Sequence, residues 1–319
     1  MRTGLLLYGY FGAGNLGDDL LLATAVGELR PVLPGAAFYV RDHGESIDST
    51  GLGASVTLTG IERILADGSK PRLFRLLRYL VAYASLFRRC QWLVFTGGTL
   101  FHERGTMTSL TLQWIICMLA RIQRVRIAAL GVGVAELQSF VGRWLLYRII
   151  GMTELFLVRD EAALRQCGIG KARLTDDLVF AKPDLQPVPR HRKDSLAVGL
   201  AVYPPACGGA SGAKVRAALV EAIRHWHSQG HSVVFLVCQR AGAVVGDDAV
   251  LQQLTAALGG SAGAIDTRIL SADAATLSRR LLQRDAAGNA DADDIDPPVC
   301  EVEKMRVELR ADDVLDHHD

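Results

Sequence analysis

The chain has 319 residues, which is longer than one average domain, so two domains are expected. Half of the residues are hydrophobic, which excludes wholesale disorder, and only 7% are aromatic, which argues against the stacking surfaces of a nucleic-acid-binding protein. The net charge of +1 hides an asymmetry, because residues 285–319 hold 12 acidic and three basic residues and leave 32 basic and 22 acidic residues in 1–284. A basic body favours an anionic ligand or surface as its partner.

Cysteine spacing and hydropathy bear on metal binding and location. The six cysteines include no C-x-x-C pair and no regular spacing, so neither a disulfide framework nor a zinc cluster is expected. His225, His227 and His231 stand close together without a carboxylate or cysteine partner, so we interpret them as surface histidines and predict no metal site. No apolar run reaches about 18 residues, and the N-terminus lacks the long apolar core of a signal peptide. We therefore expect a cytoplasmic protein without a transmembrane helix.

Residues 4–167 alternate between short apolar runs and segments of helical periodicity. This alternation is typical of a parallel sheet whose strands are joined by crossover helices. The first strand ends in glycines, and Asp18 and Asp19 stand in the first turn of the next helix, where carboxylates complement the helix dipole. The predicted strands are 4–10, 36–40, 92–96, 126–130 and 154–158, and the predicted helices are 18–29, 71–87, 108–122, 140–150 and a segment ending at 167.

A break in this pattern divides the chain. Residues 182–195 carry three prolines and several charges, which indicates a linker. Beyond it, strands at 196–202, 232–238 and 264–269 alternate with helices at 213–228, 247–258 and 273–283, about half of a doubly wound domain. The predicted organisation is an N-terminal Rossmann-like domain (1–181), a linker (182–195), a partial C-terminal Rossmann-like domain (196–284) and an acidic tail (285–319) that is expected to be disordered.

The glycine-rich loop between the first strand and the first helix is the strongest local motif. Gly12 to Gly17 match G-x-G-x-x-G in the strand–loop–helix context of a dinucleotide fingerprint, and Asp42 falls where a ribose-binding carboxylate would stand. Asp18 and Asp19 weigh against that interpretation, because negative charges at a helix N-terminus oppose a bound pyrophosphate. A tight turn without a ligand is a further alternative.

The longer string from Gly9 to Asp19 resembles the opening of the polysaccharide pyruvyl transferase family, which is a strand, then G-x-x-G-x-G-N-x-G-D, then a helix. Four later segments are similar to elements of the same family, and the resemblance covers roughly residues 4–283. They are the glycine pair in 95–98, the Arg-Asp pair in 158–161, the segment 174–180 and, in the second domain, 198–200 with Asp247-Asp248.

The resemblance implies a fold and a reaction. The fold is a glycosyltransferase-B-like pair of Rossmann-like domains, of which the second is incomplete here. The reaction transfers pyruvate from phosphoenolpyruvate, the donor substrate, to a sugar of a cell-surface polysaccharide or of its lipid-linked precursor, and it leaves a pyruvate ketal. No bound cofactor is implied. Such chemistry needs cations for the donor's carboxylate and phosphate, an acid for the enol carbon and a base for the hydroxyl protons.

Candidate site residues lie at the carboxyl ends of the predicted parallel strands, where ligands bind in open α/β sheets. Arg159 is the first choice for contact with an anion, and a salt bridge to Asp160 or Glu161 is its alternative. Asp176 is a candidate either to orient a basic group or to cap an interdomain segment. The predicted catalytic residues are Arg159, His102 and Asp18, and the predicted substrate-binding residues are Gly12, Gly14, Asn15, Gly17, Gly97, Gly98 and Arg104.

Each of these residues also has a structural alternative. Asn15 and Asp18 either bind sugar hydroxyls or cap the loop, and His102 is either a site residue or a surface histidine. The family's second domain normally carries an Arg-x-His element that resembles a donor site, whereas no Arg-x-His follows residue 284. We therefore expect a truncated or replaced C-terminal part and leave catalysis by this chain open. The alternatives are an NAD(P)-dependent oxidoreductase that uses the glycine loop and a non-catalytic sugar-binding module.

Lys70 to Arg89 interleave five arginines with leucine and aromatic residues. As a helix, this segment has an apolar surface with a cationic edge, which suits peripheral contact with the inner face of an anionic membrane. The alternative is a buried crossover helix whose arginines extend to solvent along its surface.

Overall fold

The computed structural model describes residues 3–43, 47, 52, 55–103, 107–168, 170–181, 197–200, 209–237, 247–259 and 265–269. The chain divides into two compact units, the first formed by most of residues 1–185 and the second by most of residues 186–290. The predicted linker, the predicted helix 273–283, Arg104 and the acidic tail lie outside the described residues.

The first unit is built on a parallel sheet with the strand order β3-β2-β1-β4-β6-β7-β8, and β5 pairs with β6 beside this path. Every pairing is parallel. The strands are β1 (Gly4–Phe11), β2 (Ala37–Asp42), β3 (Val56–Leu58), β4 (Cys90–Thr96), β5 (Thr99–Phe101), β6 (Arg126–Val134), β7 (Leu155–Val158) and β8 (Ala172–Leu174).

Helices connect these strands, and several of them begin at side-chain caps. Ser139 Oγ accepts a hydrogen bond from the Gly142 N–H, and an Asp160 carboxylate oxygen accepts one from the Ala163 N–H, so both satisfy a free amide of a first turn. The helices are α1 (Leu16–Val32), α2 (Glu62–Ala66), α3 (Arg72–Phe87), α4 (Thr108–Ile122), α5 (Phe140–Met152) and α6 (Glu161–Cys167), and Leu178–Ala181 form a 3₁₀ turn.

Both faces of the first sheet are covered, which explains why its central strands β1, β4 and β6 are mostly apolar on both sides. In β1, Leu6 and Tyr8 join the core formed with α3, α4 and α5, whereas Leu5 and Leu7 join the core formed with α1. The three described cysteines, Cys90, Cys117 and Cys167, are buried and reduced.

In the described part of the second unit, three parallel strands lie in the order β11-β10-β9. Ile223 of the first helix, Phe235 of the central strand and Leu254 of the second helix are buried together in its core. The elements are β9 (Ala197–Leu200), α7 (Gly209–Ser228), β10 (Ser232–Val237), α8 (Asp247–Leu258) and β11 (Ile265–Ile269).

The α/β class predicted from the sequence is confirmed. One strand boundary was predicted wrongly: β6 continues to Val134 instead of ending at Leu130. Gly131 has φ +60°, and the pairing with β7 shifts register between Ala129 and Val132, so the glycine marks an irregularity within the strand. Among the described residues, no helix is long and apolar enough to cross a membrane.

Candidate active site at the carboxyl edge of the first sheet

The strand order creates a crevice between the carboxyl ends of β1 and β4. From β1 the chain continues to β2 on one side, whereas from β4 it continues to β6 on the other. The connecting loops therefore diverge at this point, which is where open α/β sheets bind their ligands. The glycine loop after β1 and the Gly97-Gly98 pair after β4 flank the crevice.

Carboxylates of the first turn of α1 fix the glycine loop. The Gly12 N–H donates to Asp19 Oδ1 at 2.9 Å, and the Gly17 N–H donates to Asn15 Oδ1 at 2.9 Å. Gly12 and Gly14 have φ values of +70° and +76°, a region that favours glycine. The capping role considered for Asn15 is therefore present, and Asp19 has the same role in the loop.

Asp18 connects the two loops. The Gly98 N–H donates to Asp18 Oδ1 at 3.0 Å, although the two residues are 80 positions apart. A Cβ atom added at Gly98 would lie 3.1 Å from that oxygen, so a side chain there would crowd the contact. Gly97 has φ +134°, where a side chain would be strained. The predicted site residues Asp18, Gly97 and Gly98 are thus brought together.

Arg159 follows β7 at the same edge of the sheet, and neighbouring groups orient its guanidinium. Its Nη1 donates to Asp177 Oδ2 at 3.0 Å and its Nη2 to Thr99 Oγ1 at 3.4 Å, while Nε lies 3.8 Å from Asp160 Oδ2. The salt bridge to Asp160 considered as an alternative is present but long. The orienting carboxylate belongs to Asp177 and not to Asp176, the residue that was considered for this role from the sequence. Thr99 was not singled out at all.

Asp18 and Arg159 bind the adjacent residues Gly98 and Thr99, and the charge of Arg159 also acts on Asp18. Burial raises the pKa of Asp18 to about 6, and the negative charge of Asp19 acts in the same direction. The Gly98 N–H and the positive charge of Arg159 oppose this rise in the pKa. Burial also raises the pKa of Asp19, against its hydrogen bond from Gly12. The crevice thus combines a carboxyl group that titrates near neutral pH with a fixed cation.

Asp18→Asn is expected to stabilise the protein by about 2 kcal/mol above pH 7 and to change its stability little below pH 4. A carboxyl group whose pKa is raised by folding contributes stability that is complete below its unfolded pKa, near 4, and is lost as the pH rises through about 6. Asparagine keeps an acceptor oxygen for Gly98 but has no charge to bury. Urea unfolding of both proteins at pH 4 and pH 7.5 measures the difference.

Asp67→Asn is the matched control, because the Asp67 carboxylate is exposed and its hydrogen bonds with Ser69 lower its pKa. We expect no gain in stability from this exchange. A gain from Asp18→Asn that is equal at both pH values would contradict the assignment of a raised pKa to Asp18.

Two predicted site residues, His102 and Arg104, remain to be placed. His102 directly follows β5, at the same edge of the sheet. Glu103, its neighbour, accepts hydrogen bonds from the N–H groups of Gln138 and Ser139 and from the Ser139 hydroxyl, so it fixes the start of α5. Arg104 lies outside the described residues and stays a prediction.

Asp42, the carboxylate proposed for a dinucleotide ribose, is already engaged. It is only 2% exposed, its Oδ1 accepts from the Gly60 N–H at 2.6 Å, and its Oδ2 lies 3.9 Å from Arg63 Nη2. A ribose would have to displace these contacts, which weighs against the dinucleotide interpretation.

A buried polar network holds the start of the glycine loop at Gly9. Arg41 donates from Nε to Glu62 Oε1 at 2.6 Å and from Nη1 to the Gly9 carbonyl at 3.2 Å. The Tyr79 hydroxyl also donates to Glu62 Oε1, at 2.7 Å, and the Arg41 guanidinium lies 4.1 Å from the centre of the Tyr8 ring. The network therefore joins β1, β2, α2 and α3 beneath the candidate site.

Comparisons with known proteins agree with this architecture. The chain is similar to a putative UDP-N-acetylglucosamine 2-epimerase from Listeria monocytogenes, with a TM-score of 0.53, 12% identity, and coverage of 88% of this chain and 72% of that one. It is also similar to MnaA of S. aureus in its structure with UDP, with a TM-score of 0.51, 10% identity, and coverage of 89% and 72%. At these identities the likeness concerns the fold alone. A comparison with curated proteins found no match.

The fold and the position of the crevice define an α/β protein with Rossmann-like domains of the glycosyltransferase-B type. Residues 15–254, most of the chain, match the family model described as polysaccharide pyruvyl transferase. The chain belongs to the polysaccharide pyruvyl transferase family, as the motifs from Gly9 to Asp19 and at Arg159 had indicated.

Proposed function

We propose that this protein transfers pyruvate from phosphoenolpyruvate to two hydroxyl groups of one sugar, in a cell-surface polysaccharide or its lipid-linked precursor. Family membership supports pyruvylation of polysaccharide in general. The observation that carries the proposal is that Asp18 accepts a hydrogen bond from Gly98 while Arg159 donates to the next residue, Thr99, so that both side chains meet the same segment of the crevice. The proposed location is the cytoplasm, with access to the inner face of the membrane.

The two sides of the crevice suit different parts of the reaction. On one side, Arg159 presents a planar guanidinium that binds a carboxylate or a phosphate with two parallel hydrogen bonds. On the other side, the N–H groups of Gly12 and Gly98 are already bonded to aspartates, so that side favours sugar hydroxyls over an anion. We assign the donor to the Arg159 side and the acceptor sugar to the Asp18 side.

Asp18 is assigned to proton transfer, because a group that titrates near the working pH both gives and takes protons effectively. In the addition step, a sugar oxygen bonds to C2 of phosphoenolpyruvate and C3 receives a proton, while the hydroxyl proton is lost. In the second step, another hydroxyl oxygen of the same sugar bonds to C2, the C2–O bond to phosphate breaks, and phosphate leaves with the second proton. Asp18 takes a hydroxyl proton, and Arg159 stabilises charge on the donor.

Thermal unfolding of the full chain with separate ligands tests this proposal against its alternatives. A ligand that binds the folded state at one hundred times its Kd stabilises that state by about 2.7 kcal/mol, which raises the Tm by several degrees. We expect phosphoenolpyruvate to raise the Tm and NAD(H) and NADP(H) to leave it unchanged, with release of phosphate when acceptor glycan is added.

The other outcomes separate the alternatives. Stabilisation by NAD(H) or NADP(H) alone would favour the oxidoreductase and contradict the proposal. Stabilisation by glycan alone, without an effect of phosphoenolpyruvate, would identify a non-catalytic sugar-binding module. Both alternatives use the same glycine loop, so the ligand specificity of the chain decides between them.

A further inference from the structure

Three helices of the first unit lie side by side on one face of its sheet. Residues of α3, α4 and α5 share one hydrophobic core, and α4 packs between α3 and α5. Each helix ends just before the amino end of the next strand, as Phe87 does before Cys90 and Met152 does before Leu155. Because α3 and α5 are about 20 Å long or more, their first turns lie toward the carboxyl edge of the sheet, where the candidate active site is.

The outward surface of these first turns is apolar. Leu73 is 68% exposed and Phe140 is 76% exposed, and neighbouring large side chains on both helices are also exposed. Monomeric proteins seldom expose so many large apolar side chains on one layer of helices without a partner. The α3/α5 face consists of Leu73, Phe74, Leu77, Phe140, Val141 and Trp144.

Helix α3 has two distinct apolar sides. Tyr79, Tyr83 and Phe87 are buried in the core, whereas Leu73, Leu77 and Val81 follow each other at intervals of four on the opposite, exposed side. The buried side is what a crossover helix requires. The exposed side is the part that the crossover role leaves unexplained.

The charged residues of the three helices are all of one sign. The segments of α3, α4 and α5 contain no acidic residue and six arginines: Arg72, Arg75, Arg78, Arg121, Arg143 and Arg148. Among the nearest acidic residues along the chain, Asp67 and Glu136 precede α3 and α5, Glu154 follows α5 at the amino edge, and Glu103 is bound by Ser139 at the start of α5. Two arginines lie beside rings of the α3/α5 face, since Arg78 is 5.9 Å from the centre of the Phe74 ring and Arg148 is 6.0 Å from that of Trp144.

We propose that the α3/α5 face binds the surface of an anionic lipid bilayer. Apolar and aromatic side chains enter the boundary between headgroups and acyl chains, and the arginines around them pair with anionic headgroups. The excess of positive charge on the three helices favours this occupant over a second copy of the chain, in which two cationic faces would repel each other. The carboxyl edge of the sheet then lies close to the membrane. The purpose of this contact, access to a lipid-linked acceptor, rests on the proposed function.

Vesicle flotation of the full chain tests the proposal without requiring turnover. We expect the protein to float with vesicles of phosphatidylcholine and phosphatidylglycerol in 0.1 M salt, to float much less in 0.5 M salt, and not to float with phosphatidylcholine alone. Arg72→Glu/Arg78→Glu should lower the partition coefficient at least tenfold, because each basic residue near such a surface contributes about fivefold. Phe140→Ser/Trp144→Ser should lower it as well.

The matched control is Lys214→Glu/Arg224→Glu, which makes the same change in charge on exposed positions of α7. This variant should float like the wild type, and circular dichroism of every variant checks that it is folded. Equal flotation of the α3 variant and the α7 variant, or no flotation of the wild type, would overturn the proposal. A stable dimer that Phe140→Ser/Trp144→Ser dissociates would also overturn it, because the occupant would then be a second chain.

Discussion

Glu62→Leu is expected to lower the free energy of unfolding of the first unit by about 3–5 kcal/mol. The Glu62 and Arg41 side chains are only 11% and 9% exposed, and their ion pair is 2.6 Å long. Leucine would leave the Arg41 guanidinium buried without its carboxylate, and arginine cannot escape that cost by losing its proton. The Tyr79 hydroxyl would lose its acceptor as well. Urea unfolding followed by tryptophan fluorescence measures the loss, since three of the four tryptophans lie in residues 92–144.

Two further variants test whether the loss of stability in Glu62→Leu comes from the buried charge of Arg41. Glu161→Ala removes an exposed partner of Arg165 at helical spacing and should cost at most about 0.5 kcal/mol. Glu62→Gln keeps an acceptor oxygen and should cost less than leucine. Burial would raise the pKa of Glu62, but Arg41 and the hydrogen bonds outweigh burial and lower that pKa. The wild type should therefore lose stability relative to Glu62→Gln as the pH falls through the lowered pKa. A loss below 1 kcal/mol for Glu62→Leu would show that the network is not structural.

Arg159→Ala should weaken the binding of phosphoenolpyruvate by about a hundredfold or more. Hydrogen bonds to charged groups contribute about 1.5–3 kcal/mol each, and a guanidinium that binds a carboxylate or phosphate makes two. Arg159→Lys keeps the charge but not the planar pair of donors, so it should recover only part of the affinity. Isothermal titration with phosphoenolpyruvate and with inorganic phosphate measures both effects.

Arg126→Ala is the matched control for Arg159→Ala. The two arginine side chains are almost equally exposed, at 29% and 28%, and each pairs with a carboxylate, but Arg126 stands at the start of β6, at the opposite edge of the sheet. We expect Arg126→Ala to bind the donor like the wild type. Undiminished binding by Arg159→Ala would contradict the proposed donor position and would direct attention to His102 and Arg104.

Most of the fold could be predicted from the sequence because the strands of a parallel sheet are apolar on both faces. β1, β2 and β4, for example, begin or end within two residues of their predicted bounds. β3, β5 and β8 were not predicted, because three residues carry too little pattern to be recognised. β6 was predicted too short because a glycine such as Gly131 is typical of the end of a strand. Here the glycine stands within β6, at a shift of register against β7.

The candidate site was predicted only in part, for a different physical reason. A carboxylate in the first turn of α1 could be read from local sequence, as Asp18 was. Its bond to Gly98 depends on β1 and β4 being neighbours, which no local pattern specifies. The choice between Asp176 and Asp177 as the partner of Arg159 depends in the same way on the direction of two adjacent side chains. The network of Arg41 and Glu62 was not predicted, because its members come from four separate elements.

Gly98 has a mechanical consequence for the first unit. Its N–H is held by Asp18 of α1, and its carbonyl accepts from the Gly133 N–H in β6, next to the Arg159 side chain. A single peptide segment thus couples the start of α1 to the strand beside the guanidinium. If a sugar hydroxyl draws Asp18 away from Gly98, the Gly98 peptide loses one of its two hydrogen bonds. A shift of this peptide would reach Arg159 through the bond to Gly133, which lies next to the guanidinium. We therefore expect acceptor and donor to bind with coupled affinities.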